Sequence, residues 1–373
     1  MSAPSERLHS PESVPAYTKP IDLLRLRSSV PQEIFELPGL RAVLKAAFLA
    51  VVLLGALAIG TSLDSVALRL LIGVAMGPFL FAFASLGHES GHCTASRWRF
   101  VNDLTGLMTM SAIGIPARGW KVKHDLHHKF GGVPGEDTDK VPLLGTYLRL
   151  WWPARFGMRL FKNLEFLVWW ATPISIWVTT WVYAVKNLRR RSAHHRRSRR
   201  WTMVDMAVSG AFFAGAGLYT YAFGWTNLLM LVALPFAVSG IVGAVCFVPN
   251  HRGMPPLTAE QARNPARFSH VNSRTVLYPP FVPANFFMNH VPWQIEHHIF
   301  PTVAGHRLRE LSPHIRDYFR REGIPLTYER AHKVMPRMLS DAWLWGESDG
   351  RLYTYAEAEA LRRTRSDDSE VRA

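Results

Sequence analysis

Apolar residues in this chain gather into four long blocks, Val43–Leu63, Val66–Leu86, Met203–Phe223 and Leu228–Val248. A helix needs roughly 20 mostly apolar residues to cross a bilayer, and each block supplies them. The links within each pair are short, Asp64-Ser65 in one and Gly224–Asn227 in the other, and neither carries Lys or Arg. Basic residues stand instead at the outer ends: Arg41 and Lys45, Arg97 and Arg99, the run Lys186–Arg200, and Arg252. Cytoplasmic flanks of spanning helices are enriched in Lys and Arg. The pattern therefore predicts two hairpins with their tips outside and everything else, including the N-terminus, in the cytoplasm. The expected location is a cytoplasmic membrane of the bacterial inner-membrane kind, crossed several times.

Two further apolar stretches do not fit as crossings. Leu167–Val185 is rich in Trp and Thr and contains Pro173. If it spanned, it would move part of the chain to the opposite compartment from the rest, so it is read as interfacial or half-inserted, where Trp is favoured. Leu104–Pro116 gets the same reading. The region from Asn250 onward mixes polar and aromatic residues and predicts a helical cytosolic cap, shared with the loop after Gly87. The chain divides into a polar, Pro-rich segment (1–39), a membrane domain (40–330) and a cytosolic C-terminal segment (331–373), with Arg362–Ala373 read as a charged, disordered tail. The fold class expected is an all-α integral membrane protein of four spanning helices with interfacial helices and that cap.

Composition sharpens the picture in two places. The 373 residues are 48% hydrophobic and carry a formal charge of +15, with a pI near 10.2. Such an excess suits a nucleic-acid binder, but eight Lys and Arg residues crowd Lys186–Arg200 directly before an apolar block. The charge is membrane topology, and nucleic acid is not an expected partner. Cys93 and Cys246 are the two cysteines, too few for a disulfide framework or a thiolate metal site. Cys93 is read as a small packed side chain. No signal-peptide core opens the chain and no internal repeat appears.

The chemistry lies in the histidines. His88 and His92 stand at i and i+4, one face of a helix. His124, His127 and His128 stand at i, i+3 and i+4, again one face. His297 and His298 follow Pro292, at a predicted helix start. Imidazole is the commonest metal ligand, neutral and with one lone pair to give. Seven of these on one side of a membrane exceed what a single zinc ion takes and suggest two metal ions. Iron suits imidazole and can activate oxygen. Carboxylates commonly fix the tautomer of a ligating histidine, and Glu89, Asp125, Glu136, Asp137, Asp139 and Glu296 lie in or beside the tracts. His306 follows the third tract closely enough to be a supporting residue. His9, His194, His195, His270, His314 and His332 lack such a context.

Three ordered tracts, Gly87–His92 (GHESGH), His124–His128 with Gly135–Asp139 (HDLHH and GEDTD), and Gln294–Pro301 (QIEHHIFP), resemble the histidine boxes of the membrane fatty acid desaturase superfamily over about residues 40–330. The resemblance implies a four-helix membrane fold whose cap holds a di-iron centre, using oxygen as co-substrate and two electrons. It implies as iron ligands His88, His92, His124, His127, His128, His297 and His298. Many members open the third box with His; Gln294 stands there here, as in front-end and some bacterial acyl desaturases. The superfamily's additional histidine resembles His251, in Pro249–Gly253, with His290 a competitor. No haem-binding HPGG motif occurs, so electrons are expected from a separate ferredoxin or cytochrome-type donor.

The expected reaction is oxygen-dependent desaturation of a fatty acyl chain carried on CoA, a lipid or a carrier protein, held in an apolar tunnel. The same scaffold also serves hydroxylation, carotenoid oxygenation and terminal-alkene-forming decarboxylation. A membrane metal transporter would need ionisable residues along its spans, yet the spans carry few, mainly Asp205.

Overall fold

The computed structural model describes residues 19–138, 143–163, 172–189, 196–340, 344–349 and 351–370. Among the described residues, three stretches are helical, long and apolar enough to cross a membrane: Arg41–Ser62 (α1), Val66–Gly91 (α2) and Ser198–His251. At 1.5 Å per residue, the 22 residues of α1 reach about 33 Å, the scale of a bilayer core. A Ser65 cap accepting the Leu68 N–H starts α2 directly after α1. The third stretch is not one rod. At Gly224 the backbone adopts φ 82° and ψ 165°, a conformation essentially confined to glycine. The stretch holds α6 (Arg196–Leu228, broken at Gly224), a π-helical turn Leu229–Ala233 and α7 (Leu234–His251).

Small residues let these helices approach. A Cβ added at Gly73 would lie 2.0 Å from the Met230 carbonyl oxygen, and one at Gly77 would lie 2.3 Å from Val238. Away from the contacts, Leu44, Val51, Leu54, Leu71 and Leu218 are largely exposed. An apolar face this extensive belongs against lipid. Asp205, the acid inside this region, has a local partner: its Oδ2 accepts the backbone N–H of Arg118 at 2.8 Å, at the start of α4 (Ala117–Phe130). Free N–H groups at a helix start are satisfied by an acceptor of this kind.

The shorter apolar helices pack between the long ones. Helix α3 (Arg99–Ser111) has 13 residues, about 20 Å, too short to cross. Its Phe100, Leu104 and Met108 face outward, while Asn102, Thr105 and Thr109 are buried. Helix α5 (Thr172–Arg189) covers the described part of the Trp-rich stretch; residues 167–171 lie outside the described residues. Two of its tryptophans are tied to the turn after α3. Trp181 Nε1 donates to the Gly114 carbonyl at 3.0 Å and Trp177 Nε1 to that of Ile113, because the turn after α3 leaves these carbonyls without helical donors.

Beyond α7 the chain builds a cap. Ile295 and Ile299 of α8 (Gln294–Ile299) pack with Leu308, Leu311, Ile315 and Phe319 of α9 (Leu308–Glu322). Ile21, Leu26, Val30 and Ile34 complete that core, so the segment before α1 contributes to the cap. Two three-residue strands, β1 (Thr275–Leu277) and β2 (Tyr328–Arg330), pair in parallel with Thr275 opposite Tyr328. The tail is a correction: α10 (Tyr355–Glu370) carries helix through much of the segment expected to be disordered. A reciprocal cap starts it, Glu357 N–H to Thr354 Oγ1 at 3.2 Å and Thr354 N–H to Glu357 Oε2 at 2.8 Å. Ala358 then packs against Leu144 and Tyr147.

Candidate metal centre

Four segments carry the histidines together. The spanning helix α2 runs on past its apolar part, placing His88 in its last turn and His92 at its C-cap. Helix α4 brings His124, His127 and His128, α7 ends at His251, and α8 holds His297 and His298. They fall into two groups whose ligand atoms lie within 4.8 Å of one another: His88, His92, His124, His128 and His297 in the first, and His127, His251 and His298 in the second. Consecutive residues on a helix point about 100° apart. His128 therefore turns to the first group while His127 turns to the second. The groups adjoin where the His128 and His298 rings stack, 4.5 Å between centroids.

The donor set fits bound metal. His124 Nε2 lies 2.9 Å from His92 Nε2 and 3.1 Å from His128 Nε2. Metal–imidazole bonds of about 2.1 Å give cis nitrogen separations of about 3.0 Å around an octahedral ion. His297 Nε2, His298 Nε2 and His128 Nδ1 are buried with no hydrogen-bond partner, and buried polar atoms seldom stay unpaired. Burial holds His92, His124, His128, His297 and His298 well below the usual imidazole pKa, with the neighbouring histidines adding to it. All five are neutral near pH 7, the form that ligates.

Residues around the groups fix the rings. Asp137 Oδ1 accepts from His127 Nδ1 at 2.8 Å, and its Oδ2 accepts the Gly132 N–H at 2.7 Å. Gly132 has φ 76°, and a Cβ there would meet Asn272 at 2.6 Å. His251 Nδ1 donates to the Asn272 carbonyl at 2.7 Å, while the Gln294 amide lies 2.8 Å from His251 Nε2. The other acids have different surroundings. Asp125 pairs with Lys121 at the surface, Glu136 is exposed, and Asp139 lies outside the described residues. Glu89 accepts the Gly305 N–H at 3.0 Å. Glu296 is fully buried, and its carboxyl accepts from Thr275 Oγ1 at 2.7 Å and from the Tyr328 hydroxyl. It ties α8 to the paired strands rather than holding an imidazole. Burial raises its pKa.

An apolar cavity of about 90 Å³ ends on the first group. His88 and Trp120 stand at this end, with Trp120 stacked on His124 at 4.4 Å. Met110, Ile113, Trp177, Phe236 and Phe247 form much of its wall.

His290 is in neither group; it lines a separate cavity with His306. His270 is buried against Phe319 with both ring nitrogens unpartnered. His9, His194 and His195 lie outside the described residues, and His332 is exposed. Cys93 is exposed at φ 60°, not packed, because the chain turns left-handed as it leaves α2. Sequence reasoning gave no sign of Asn272, whose contribution is a backbone carbonyl, nor of Trp120, whose aromatic character alone is ordinary.

An sn-1 acyl-lipid omega-3 desaturase (ferredoxin) of Nostoc sp. (strain 36) is 25% identical over 62% of this chain and 63% of its own length. The Synechocystis protein of the same name is 23% identical over 86% of this chain and 89% of its own. An oleate hydroxylase of Claviceps purpurea is 40% identical over a shorter stretch, 20% of this chain and 15% of its own. The match thus spans from 15% to 89% of these relatives' lengths, and just under two thirds for the Nostoc protein. The sequence model of the family described as "Fatty acid desaturase" matches residues 65–330, which include all eight grouped histidines, and the chain belongs to that family.

Proposed function

We propose that this protein is an oxygen-dependent fatty acyl desaturase holding two iron ions, one in each histidine group. The observation that carries this is the apolar cavity ending on the first group, a largely apolar slot beside a metal-binding cluster. Iron, when bound there with oxygen, supplies oxidising power sufficient for an unactivated methylene, which polar side chains lack. His88, His92, His124, His128 and His297 would hold one ion. His127, His251 and His298 would hold the other, with His251 Nε2 exchanging the Gln294 amide for metal.

The chain's own residues do the rest. Asp137 and the Asn272 carbonyl keep protons on the Nδ1 atoms of His127 and His251, which leaves each Nε2 lone pair turned inward. The cavity wall excludes water and fixes which carbons of the acyl chain come beside His88 and Trp120, so position rather than acidity selects the bond. The relatives' names speak of acyl-lipids and ferredoxin. We propose an acyl-lipid substrate and a ferredoxin-type donor, with a cytochrome-type donor as alternative. The break at Gly224 favours four crossings in two hairpins, with the histidines on the cytoplasmic face.

Expression in a host of simple lipid composition, followed by mass spectrometry of its fatty acids, tests this reading. New double bonds that vanish in His128→Ala are the expected result. Hydroxy acids would favour the second reading, a hydroxylase, which the similarity to the oleate hydroxylase supports. A purified protein without iron would sink both.

A further inference from the structure

A second cavity lies on the other side of α2 from the acyl slot and shares no wall residue with it. Arg41 and Lys45, at the start of α1, form one side, and His290 and His306 from the cap form the other. Arg41 makes no ion pair with any described residue. Lys45 Nζ is held by the Phe286 carbonyl at 2.6 Å and by Asn289 Oδ1. His290 Nδ1 is buried without a partner. Asn289 and His290 both have positive φ, 43° and 62°, a conformation that costs a non-glycine residue energy and clusters at binding sites. The strain brings Asn289 onto α2, where its Nδ2 donates to Ser85 Oγ at 2.6 Å, and leaves the next side chain, His290, on the cavity wall.

The outer lip is apolar. Phe48 and Phe286 meet edge to face with centroids 6.5 Å apart, and both are exposed. Glu89 of α2 lies at the inner wall, where its Oε1 accepts the Gly305 N–H at 3.0 Å. The pocket thus opens between lipid-facing aromatics and a cationic rim, at the end of the spans that carries the histidines.

We propose that this cavity binds the phosphate headgroup of a membrane glycerophospholipid, with Arg41 and His290 donating to the phosphate oxygens and the acyl chains leaving past Phe48 and Phe286. Arginine matches phosphate with a fixed fork of donors. Burial pushes His290 and His306 down to about 4, so both are neutral imidazoles that can donate one N–H each. The aromatic lip selects a lipid over a free anion. The site stands apart from the oxidation chemistry, and its test reads binding, not turnover.

The probes are dioctanoyl phosphatidylglycerol, dioctanoylglycerol and inorganic phosphate, titrated by calorimetry onto delipidated, iron-loaded, full-length protein in detergent. The phosphatidylglycerol is expected to bind saturably and raise Tm, with dioctanoylglycerol at least about tenfold weaker, the scale of one charge-assisted contact. Arg41→Gln and His290→Leu should each weaken it about tenfold, with iron content and lipid-free Tm as fold controls. Equal affinity for dioctanoylglycerol in the wild-type protein overturns the proposal without any variant. Inorganic phosphate binding as tightly as the lipid would make this a soluble-anion site and overturn the lipid assignment. Unchanged lipid affinity in both variants would place binding elsewhere.

Discussion

At the scale of single residues, the centre depends on what holds each ring. Asp137 serves both oxygens, one to His127 Nδ1 and one to the Gly132 N–H. An Asn at this position can accept through one atom alone. Asp137→Asn should lower iron affinity about 10- to 100-fold, measured as iron retained after dialysis against a graded chelator; retention equal to wild type would remove Asp137 from this role. His270 predicts a pH dependence. Burial pushes it down to about 3, against about 6.5 in the unfolded chain. Between those values the unfolded chain binds more protons, so stability is undiminished above about pH 6.5 and falls as pH drops toward 3. The loss at pH 5 is about 2 kcal/mol. His270→Leu keeps the packing against Phe319 and removes the titrating group, so Tm should fall less between pH 7.5 and pH 5 than in wild type. An identical fall would show that other groups govern acid lability.

At the scale of elements, close helix contacts predict sharp asymmetries between similar substitutions. Gly73 has the Met230 carbonyl 2.0 Å from where a Cβ would stand, whereas Gly55 has nothing within 4 Å. Gly73→Ala should therefore destabilise α2 against the π-helical turn by a few kcal/mol, on the order of 1–3 for a forced overpacking. Gly55→Ala should be neutral or stabilising by about 0.5–1 kcal/mol through helix propensity. Thermal unfolding in detergent compares them, and equal Tm values would contradict the packing. Strands β1 and β2 hold α8 through Glu296. Tyr328→Phe removes a hydroxyl from the buried carboxyl and should cost about 1–3 kcal/mol, read by the same measurement. The elements were unequally legible. Long apolar blocks mark α1 and α2 because crossing a bilayer demands sustained hydrophobicity. The paired strands were invisible, since three residues show no period and their partners lie 53 positions apart. The helix at Tyr355 did carry a signal, Thr354-Tyr-Ala-Glu357 before Ala358, which high charge in the tail masked.

At the scale of the whole molecule, the apolar cavity beside His88 is built from α2, α3, α4, α5 and α7 together, so its depth is a tertiary property. Ser239 and Phe236, on α7, line it with Trp177 of α5, whereas His88 stands where it meets the metal groups. Ser239→Phe should shorten the space and shift preference toward shorter acyl chains, by about tenfold or more in product ratio, since each methylene in an apolar pocket is worth about 1–3 kcal/mol. An unchanged chain-length profile would show that the acyl chain lies elsewhere. The sequence by itself determined the histidine pairs and the scaffold: helical spacing put His88 with His92 and His124 with His128, and apolar blocks of membrane length mark the spanning helices. Local periodicity can specify a face of one helix, but not which faces of four segments converge. The division of eight histidines into groups of five and three, the place of His251 beside His127 and of His290 in another cavity, and Asp137 rather than its acidic neighbours on His127 were decided by the tertiary structure alone. Each depends on where α2, α4, α7 and α8 cross, and that is set by close packing between residues far apart in the chain.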